Sequence, residues 1–441
     1  MDGKTKVQYC RLDTRGMVIT VTRGYPAARW TRTMNRPKYS GTAQDACDKQ
    51  SARTMKDHGI SEEFSLLGGP LHRMGCRLGL VRGGTHTIRL GLALGVIPWL
   101  ILMVLVFIEG AGHQIFSPSV IGVHARLLLA IPLFFLCESL LDPRVAMFVR
   151  TLVRSEVVPP HARPTLAAEI ARINRWKASW VPDAVSLLAA VVLSAFASQL
   201  HIAGTTAAYD PSRAATEMMM AGQWYLIVCL TLFRFLMIRW LWRLGLWCFF
   251  LWRVSRLDLQ LTPTHPDGTA GLGYLEVVHA HFTPLILAIS VVQAAMLAEE
   301  LSSGTASFEA IYPAFALVLV VVAVLFLGPL FIFTPRLWAC RVKGLSDYMV
   351  FGSGYVNGFN SKWLGAADPD REPLLGTADL QSLADLGNSI SVVRNMRIVP
   401  ISLLLLKDYA LAALLPFLPL LLFKYPVADL AEKFFARLTG L

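Results

Sequence analysis

The chain has 441 residues, of which 54% are hydrophobic and 16% are charged, with a formal net charge of +11. Soluble domains average about 45–50% apolar and about 25% charged residues. Here the apolar excess is gathered into blocks long enough to cross a bilayer, which takes about 20 residues each, so an ordinary soluble domain is excluded. Nucleic-acid binding is not indicated, because most arginines after the first stretch lie in loops between apolar blocks.

Residues 1–60 are polar and basic, and they contain no apolar run long enough for a signal-peptide core. This stretch predicts either a disordered basic tail or a start site placed too early, with Met55 as the true start. The seven cysteines form no CxxC pair, which favours packed thiols over a disulfide framework or a zinc site. We predict no metal and no other cofactor.

The region 61–441 contains seven apolar blocks separated by polar loops. We predict an all-α fold, a polytopic transmembrane bundle of about seven helices with a small helical cytoplasmic cap. The seventh block is the least regular, because Lys407 and Asp408 interrupt it. The predicted transmembrane helices are 90–108, 125–141, 184–202, 224–244, 282–298, 311–333 and 409–427, and the predicted cytoplasmic segments are 142–183, 245–281 and 334–408.

Loop charges predict the orientation of this bundle. The loops after the second and sixth blocks are rich in arginine, whereas the loop after the third has only Arg213 and the loop after the fifth has no Lys or Arg. The positive-inside rule then places the N-terminus in the cytoplasm. Seven crossings leave the C-terminus in the periplasm, where residues 427–441 would form an amphipathic helix on the membrane surface.

Four runs carry a resemblance to a known group of proteins. Phe64–Arg73, Ser255–Glu276, Lys362–Leu364 and Glu372–Arg397 resemble a family of bacterial polytopic inner-membrane proteins, with motifs of the HPDGxxGLG and ADLQSLADLGNS types. The resemblance covers residue 61 to the C-terminus with the same order of apolar segments. It implies a multi-pass protein of the cell inner membrane and brings no established function with it.

Polar residues on the predicted cytoplasmic side are candidates for a site at the inner mouth of the bundle. His265 and Asp267 are held in a His-Pro-Asp-Gly sequence and would bind a cation or carry a proton. The ordinary alternative is a tight turn in which Asp267 caps the following residues. Asp385 and Asn388 lie on the polar face of a predicted helix around Thr377–Met396, and we expect all four to gather near one another.

One basic residue lies at mid-membrane depth. Arg234 is about 15 Å down the fourth segment when counted from Trp224, where a charge must face protein or water. Glu138 in the second segment is the nearest acid by depth, which predicts a structural ion pair between Arg234 and Glu138. The alternatives are a hydrated vestibule that attracts anions, or lipid headgroup binding by the inner arginines of the same helix.

A metal site has a weaker signal. Glu276 and His279 are three residues apart and would share a helix face, as in Glu-x-x-His metal motifs. No second such pair is evident, so polar residues at the membrane interface are the ordinary explanation.

Three functional classes stay open. The sequence favours a transporter or channel-like protein for a small solute or ion, with Arg234, His265, Asp267 and Asp385 as its polar groups. The alternatives are a non-catalytic scaffold or regulatory partner of an envelope complex, and a membrane-embedded enzyme acting on lipid. No catalytic triad or repeated carboxylate motif supports an enzyme. The expected partners are the bilayer and a small solute or anionic lipid, and no protein partner is indicated.

Overall fold

A computed structural model describes residues 8–12, 18–22, 64–66, 68–81, 87–112, 115–196, 219–364 and 378–424. The chain divides into two units, Met1–Thr54 and Met55–Leu441. The first contains an antiparallel hairpin of strands Gln8–Leu12 (β1) and Val18–Thr22 (β2). All five residues of β2 are β-branched, which suits an extended backbone. This hairpin was not predicted from the sequence, and most of the predicted disordered tail lies outside the described residues.

The second unit is all-α over its described residues, which confirms the predicted fold class. Short 3₁₀ and π-helical stretches continue several of its helices. The helices are Pro70–Arg77 (α1), Ile88–Ile108 (α2), Ile121–Arg154 (α3), Arg163–Ala178 (α4), Val181–Ala195 (α5), Met220–Ser255 (α6), Tyr274–Ala280 (α7), Thr283–Ser302 (α8), Ile311–Val322 (α9), Thr334–Trp363 (α10), Ala378–Arg394 (α11) and Leu403–Leu414 (α12).

Six helical segments of the described chain are long and apolar enough to cross a membrane. The number is seven if α4 and α5, which meet at 46°, count as one bent span. Large apolar side chains on their outer surfaces are exposed, among them Phe107, Leu188 and Ile227, as expected of helices that contact lipid. The chain is therefore a multi-pass helical membrane protein.

Several helices begin or end away from the predicted boundaries. Helix α3 continues 13 residues beyond the predicted end at 141, and α10 extends to Trp363. The last span begins at Leu403, before the charges Lys407 and Asp408 that had suggested a later start. The cause is local: the Ser402 hydroxyl accepts a hydrogen bond from the Leu405 N–H at 3.1 Å and caps the helix.

Small residues and irregular turns set the packing of the inner helices. A Cβ on Gly95 of α2 would lie 2.3 Å from the Leu127 carbonyl oxygen of α3, so only glycine permits this close approach. Stretches Ala125–Ala130 in α3 and Tyr225–Leu230 in α6 are π-helical. Such turns often mark functional positions in helices.

An extended segment ahead of α1 lies across α3, α4 and α6. It consists of Phe64–Leu66 and Gly68–Gly69 and is hereafter the strap; the end of the bundle where it lies is the strap face. Phe64 is buried and its ring stacks on Phe250 of α6 with centroids 4.3 Å apart. The strap thus belongs to the folded core and is not a free tail.

Candidate functional site

The strap is held by polar contacts to three helices. The Asp142 carboxylate of α3 accepts hydrogen bonds from the Ser65 hydroxyl at 2.7 Å and the Leu66 N–H at 2.8 Å. The Lys177 ammonium of α4 donates to the Ser65 carbonyl at 2.8 Å, and Arg239 of α6 donates to the Gly68 carbonyl at 2.9 Å. Charged side chains therefore bind the strap backbone, an arrangement that fixes its position with hydrogen bonds to ionised groups.

A buried ion pair lies beneath the strap. The Arg243 guanidinium of α6 donates to the Glu138 carboxylate of α3 at 2.7 Å, and both side chains are less than 10% exposed. A cavity of about 10 Å³ adjoins them, with Leu66 of the strap in its wall. This volume is on the scale of a single water molecule. The low exposure of both side chains means that the pair is largely shielded from bulk solvent.

A second ion pair lies one turn away on α6. The Arg239 Nε is 3.4 Å from the Asp183 carboxylate of α5, and Arg239 is 4% exposed. A Cβ on Gly69 of the strap would lie 2.8 Å from the same carboxylate. Because Arg239 bonds to both the strap and Asp183, it couples the strap to two helices.

The predicted pair of Arg234 with Glu138 is wrong. Arg234 instead donates to the Leu193 carbonyl at 2.9 Å and the Ser194 hydroxyl at 3.1 Å, both on α5. Residues 234 and 243 are nine apart, which places them about 13 Å apart along the helix and on opposite sides of it. Arg234 therefore faces α5 while Arg243 faces Glu138. The alternative for Arg234 was a hydrated vestibule. Arg234 is 8% exposed and bonded to protein, so it does not face such a vestibule.

His72 of α1 lies close to this charged cluster. Burial lowers the pKa of His72 below its ordinary value; the carboxylates of Glu138 and Asp142 raise it, and the cations Arg243 and Arg239 lower it further. The imidazole is consequently neutral over a wider pH range than an exposed histidine. The sequence had not singled out this residue.

His265 and Asp267 form the tight turn that was the ordinary alternative. The His265 Nδ1 and an Asp267 carboxylate oxygen are 2.8 Å apart. The same carboxylate accepts from the N–H groups of Thr269, Gly271 and Gly273, at 2.7 Å for the last. Burial raises the pKa of Asp267, but these three donors and His265 outweigh it, and the net pKa is lowered. The Asp267 carboxylate is thus the shared hydrogen-bond acceptor that closes the turn.

The structure does not join the other two residues of the predicted inner-mouth site to this turn. Asp385 accepts a hydrogen bond from Gln381, and its carbonyl accepts from Ser389, both on its own helix α11. Asp385 and Asn388 are exposed. No hydrogen bond or ion pair between either residue and His265 or Asp267 occurs in the part of the chain that is described.

Glu276 and His279, the possible metal motif, bond to different partners. Glu276 pairs with Arg397 at 2.8 Å. His279 is fully buried, where its Nδ1 bonds to the Phe326 carbonyl at 2.8 Å and its Nε2 accepts from the Trp247 indole at 3.2 Å. Among the described residues, no three His, Cys, Asp or Glu side chains are placed to hold a metal ion.

A second buried polar cluster lies at the opposite end of the spans. Arg126 of α3 donates to the Tyr225 hydroxyl of α6 at 2.6 Å, and both lie in π-helical stretches. Glu299 of α8 accepts from the Gly122 N–H at 2.8 Å and is 5% exposed. This cluster was not predicted from the sequence, because Arg126 and Glu299 lie at the borders of the predicted segments 125–141 and 282–298. Since the helices extend further, both charges lie inside the bundle.

In comparisons with known proteins, no family model, no curated protein and no solved structure matches the chain. The resemblance to a bacterial inner-membrane family is therefore supported only at the coarser level of a polytopic helical membrane protein.

Proposed function

We propose that the protein is a transporter or channel-like protein for an ion or small solute, and that Glu138 and Arg243 form its inner polar site. The observation that carries the proposal is the buried ion pair of these two residues beneath the strap. Ionisable groups inside a membrane are expensive and commonly mark ion or substrate pathways. The position of the pair, between spans and behind a separate covering segment, is that of a gated site.

The chemistry of the pair suggests how the strap would respond. Protonation of Glu138 or binding of a small anion to Arg243 would each break the ion pair. Leu66 lines the cavity beside the pair, and its N–H bonds to Asp142 one turn further along α3. A change at the pair would therefore be transmitted directly to the strap contacts.

The second cluster gives this proposal a candidate outer site. Arg126 and Glu138 lie on the same helix, twelve residues apart, which corresponds to about 18 Å along its axis. A pathway between the clusters would follow the interface of α3 and α6, because α6 supplies a partner to both. Alternating opening at the two clusters would move a solute without a continuous pore.

Flux measurements on the purified full chain in liposomes test the proposal. Proton, potassium, chloride and phosphate flux are followed with entrapped indicators, for the wild type, Glu138→Gln and Asp142→Asn. Asp142→Asn weakens the acceptor of the strap contacts and is expected to raise flux, whereas Glu138→Gln is expected to abolish coupling to pH. Glu309→Gln, an exposed residue, serves as the matched control and should behave as wild type.

The outcomes separate cleanly. Flux of at least one ion above that of empty liposomes, lost or made independent of pH in Glu138→Gln alone, supports the proposal. If neither the wild type nor Asp142→Asn shows flux although both are correctly folded, the proposal is contradicted. A closed strap could not then explain the absence of flux, because the variant weakens the contacts that hold the strap.

A scaffold or regulatory role is the second candidate, and one observation favours it. The span that begins at Phe308 continues through α10 to Trp363, 56 residues in all, which is longer than a bilayer crossing needs. Helix α10 pairs with α11, because the Tyr355 hydroxyl donates to the Asp379 carbonyl at 3.1 Å. Its outer surface exposes large apolar side chains, with Val350 at 73% and Phe351 at 64%. Exposed apolar patches commonly mark contact surfaces. A photo-crosslinker at position 351 in native membranes tests this role, which fails if no discrete adduct forms.

The location belongs to the same proposal. We place the protein in a bacterial inner membrane with the strap face in the cytoplasm, because the arginine-rich loops lie on that side. The resemblance of the four sequence runs supports the same location. The lipid-acting enzyme has no observation in its favour among the described residues.

A further inference from the structure

An open basic groove lies on the strap face beside the last span. It has a volume of about 460 Å³, and it is formed by α10, by the end of α11 and by the residues that follow α11. Arg341, Arg394 and Arg397 line it, and no carboxylate does. Leu403, the first residue of the last span, follows Arg397 by only six residues. The groove is therefore close to the level at which a lipid headgroup meets the protein.

The arginines of the groove keep unused donor capacity. Arg341 donates to the Arg394 carbonyl at 2.6 Å. Arg397 donates to the Glu276 carboxylate at 2.8 Å and to the Asp267 carbonyl at 3.2 Å. A guanidinium has five N–H donors, so these contacts position the arginines and leave further donors on each. Arg394 itself is exposed at the end of α11.

The arrangement fits a phosphate group attached to an apolar body. A guanidinium binds phosphate oxygens in a bidentate geometry that a lysine does not offer. Apolar neighbours accompany the arginines in the groove wall, including Met396 and Ile398. Arginine clusters immediately beside a membrane-spanning helix attract anionic lipids, and a phosphodiester headgroup would satisfy both parts of the lining.

We propose that this groove binds the phosphate of an anionic phospholipid headgroup, with Arg341 and Arg394 as its principal ligands and Arg397 as the residue that anchors the groove to the turn at Asp267. The site is separate from the Glu138–Arg243 pair and does not depend on a transport function. A free phosphate ion offers the same oxygens, and the test below distinguishes the two sources.

Thermal unfolding of the full-length protein tests the site in phosphatidylcholine bicelles with increasing phosphatidylglycerol. A parallel series in phosphatidylcholine alone receives inorganic phosphate at the same phosphate concentration. Arg394→Gln removes an exposed ligand with little risk to folding, and Arg341→Gln removes the second. The matched control is Arg154→Gln, an exposed arginine on α3 that does not line the groove.

Phosphatidylglycerol should stabilise the wild type and Arg154→Gln equally. Each groove variant should need about fivefold more phosphatidylglycerol for the same effect, the factor expected for one basic residue at a membrane surface. Equal responses in the wild type and Arg394→Gln would overturn the site. An equal or larger stabilisation by inorganic phosphate would also overturn it as a lipid site, and would identify a free anion as the occupant. Neither readout requires ion flux.

Discussion

The Glu138–Arg243 pair makes a quantitative prediction about stability. At a separation of 2.7 Å and an effective dielectric constant of about 20, the Coulomb attraction is about 6 kcal/mol. Desolvation of the two ions offsets much of this attraction, so the pair contributes little net stability compared with two apolar residues. Glu138→Gln, however, leaves the Arg243 charge buried without its partner. We expect the single variant to lose about 3–5 kcal/mol of unfolding free energy.

A double-mutant cycle checks this reasoning. Unfolding is followed by tryptophan fluorescence as a denaturing detergent is added, for Glu138→Gln, Arg243→Met and the double variant, with Glu309→Gln as the exposed control. The double variant should lose much less than the sum of the two singles, because neither charge is then stranded. Additive losses would refute a direct pair, and a change of less than about 0.5 kcal/mol in Glu138→Gln would refute its burial.

Three further predictions concern His72, the strap and the topology. The pKa of His72 is lower in the folded protein than in the unfolded protein, so the unfolded state binds the proton first as the pH falls. The free energy of unfolding should therefore decrease below about pH 6.5. In thermal melts, His72→Gln should weaken this pH dependence. Gly69→Ala places a side chain at φ +90° against Asp183 and should loosen the strap, seen as faster proteolysis, whereas Gly79→Ala, at φ +69° with open space around it, should cost only the backbone strain of about 1–3 kcal/mol. A cysteine that replaces Thr305 should react with an impermeant maleimide added from outside. A cysteine that replaces Asn357 should react only when the reagent is added from inside. The reverse pattern would invert the orientation.

Sequence alone determined the class of protein and the number of helical spans to within one. Long apolar blocks form helices in a bilayer, because a helix bonds every backbone polar group within its own segment. Helix α6 continues to Ser255, beyond the predicted end at 244, and no proline interrupts residues 224–258. The prediction from sequence failed at boundaries, where a single capping residue such as Ser402 decides the start of a helix.

Ion-pair partners could not be derived in this way. Arg234 and Arg243 occur on one helix with similar flanking residues, and only the rotation of that helix against α3 and α5 decides which of them meets Glu138. Depth along a helix is a one-dimensional estimate, whereas pairing depends on the facing side chain of a neighbour. Arg126 and Glu299 show the same limit, because helices longer than the predicted blocks brought both inside.

The sequence thus determined that this is a polytopic helical membrane protein with basic loops and with charges inside its spans. Tertiary structure decided which charges meet, that the His265–Asp267 pair closes a turn, and that residues ahead of the first span fold back as a strap. The physical reason is that hydrophobicity and helical periodicity are local properties that can be read along the chain. Contacts between segments far apart in sequence, such as Leu66 with Asp142, depend on how whole helices pack.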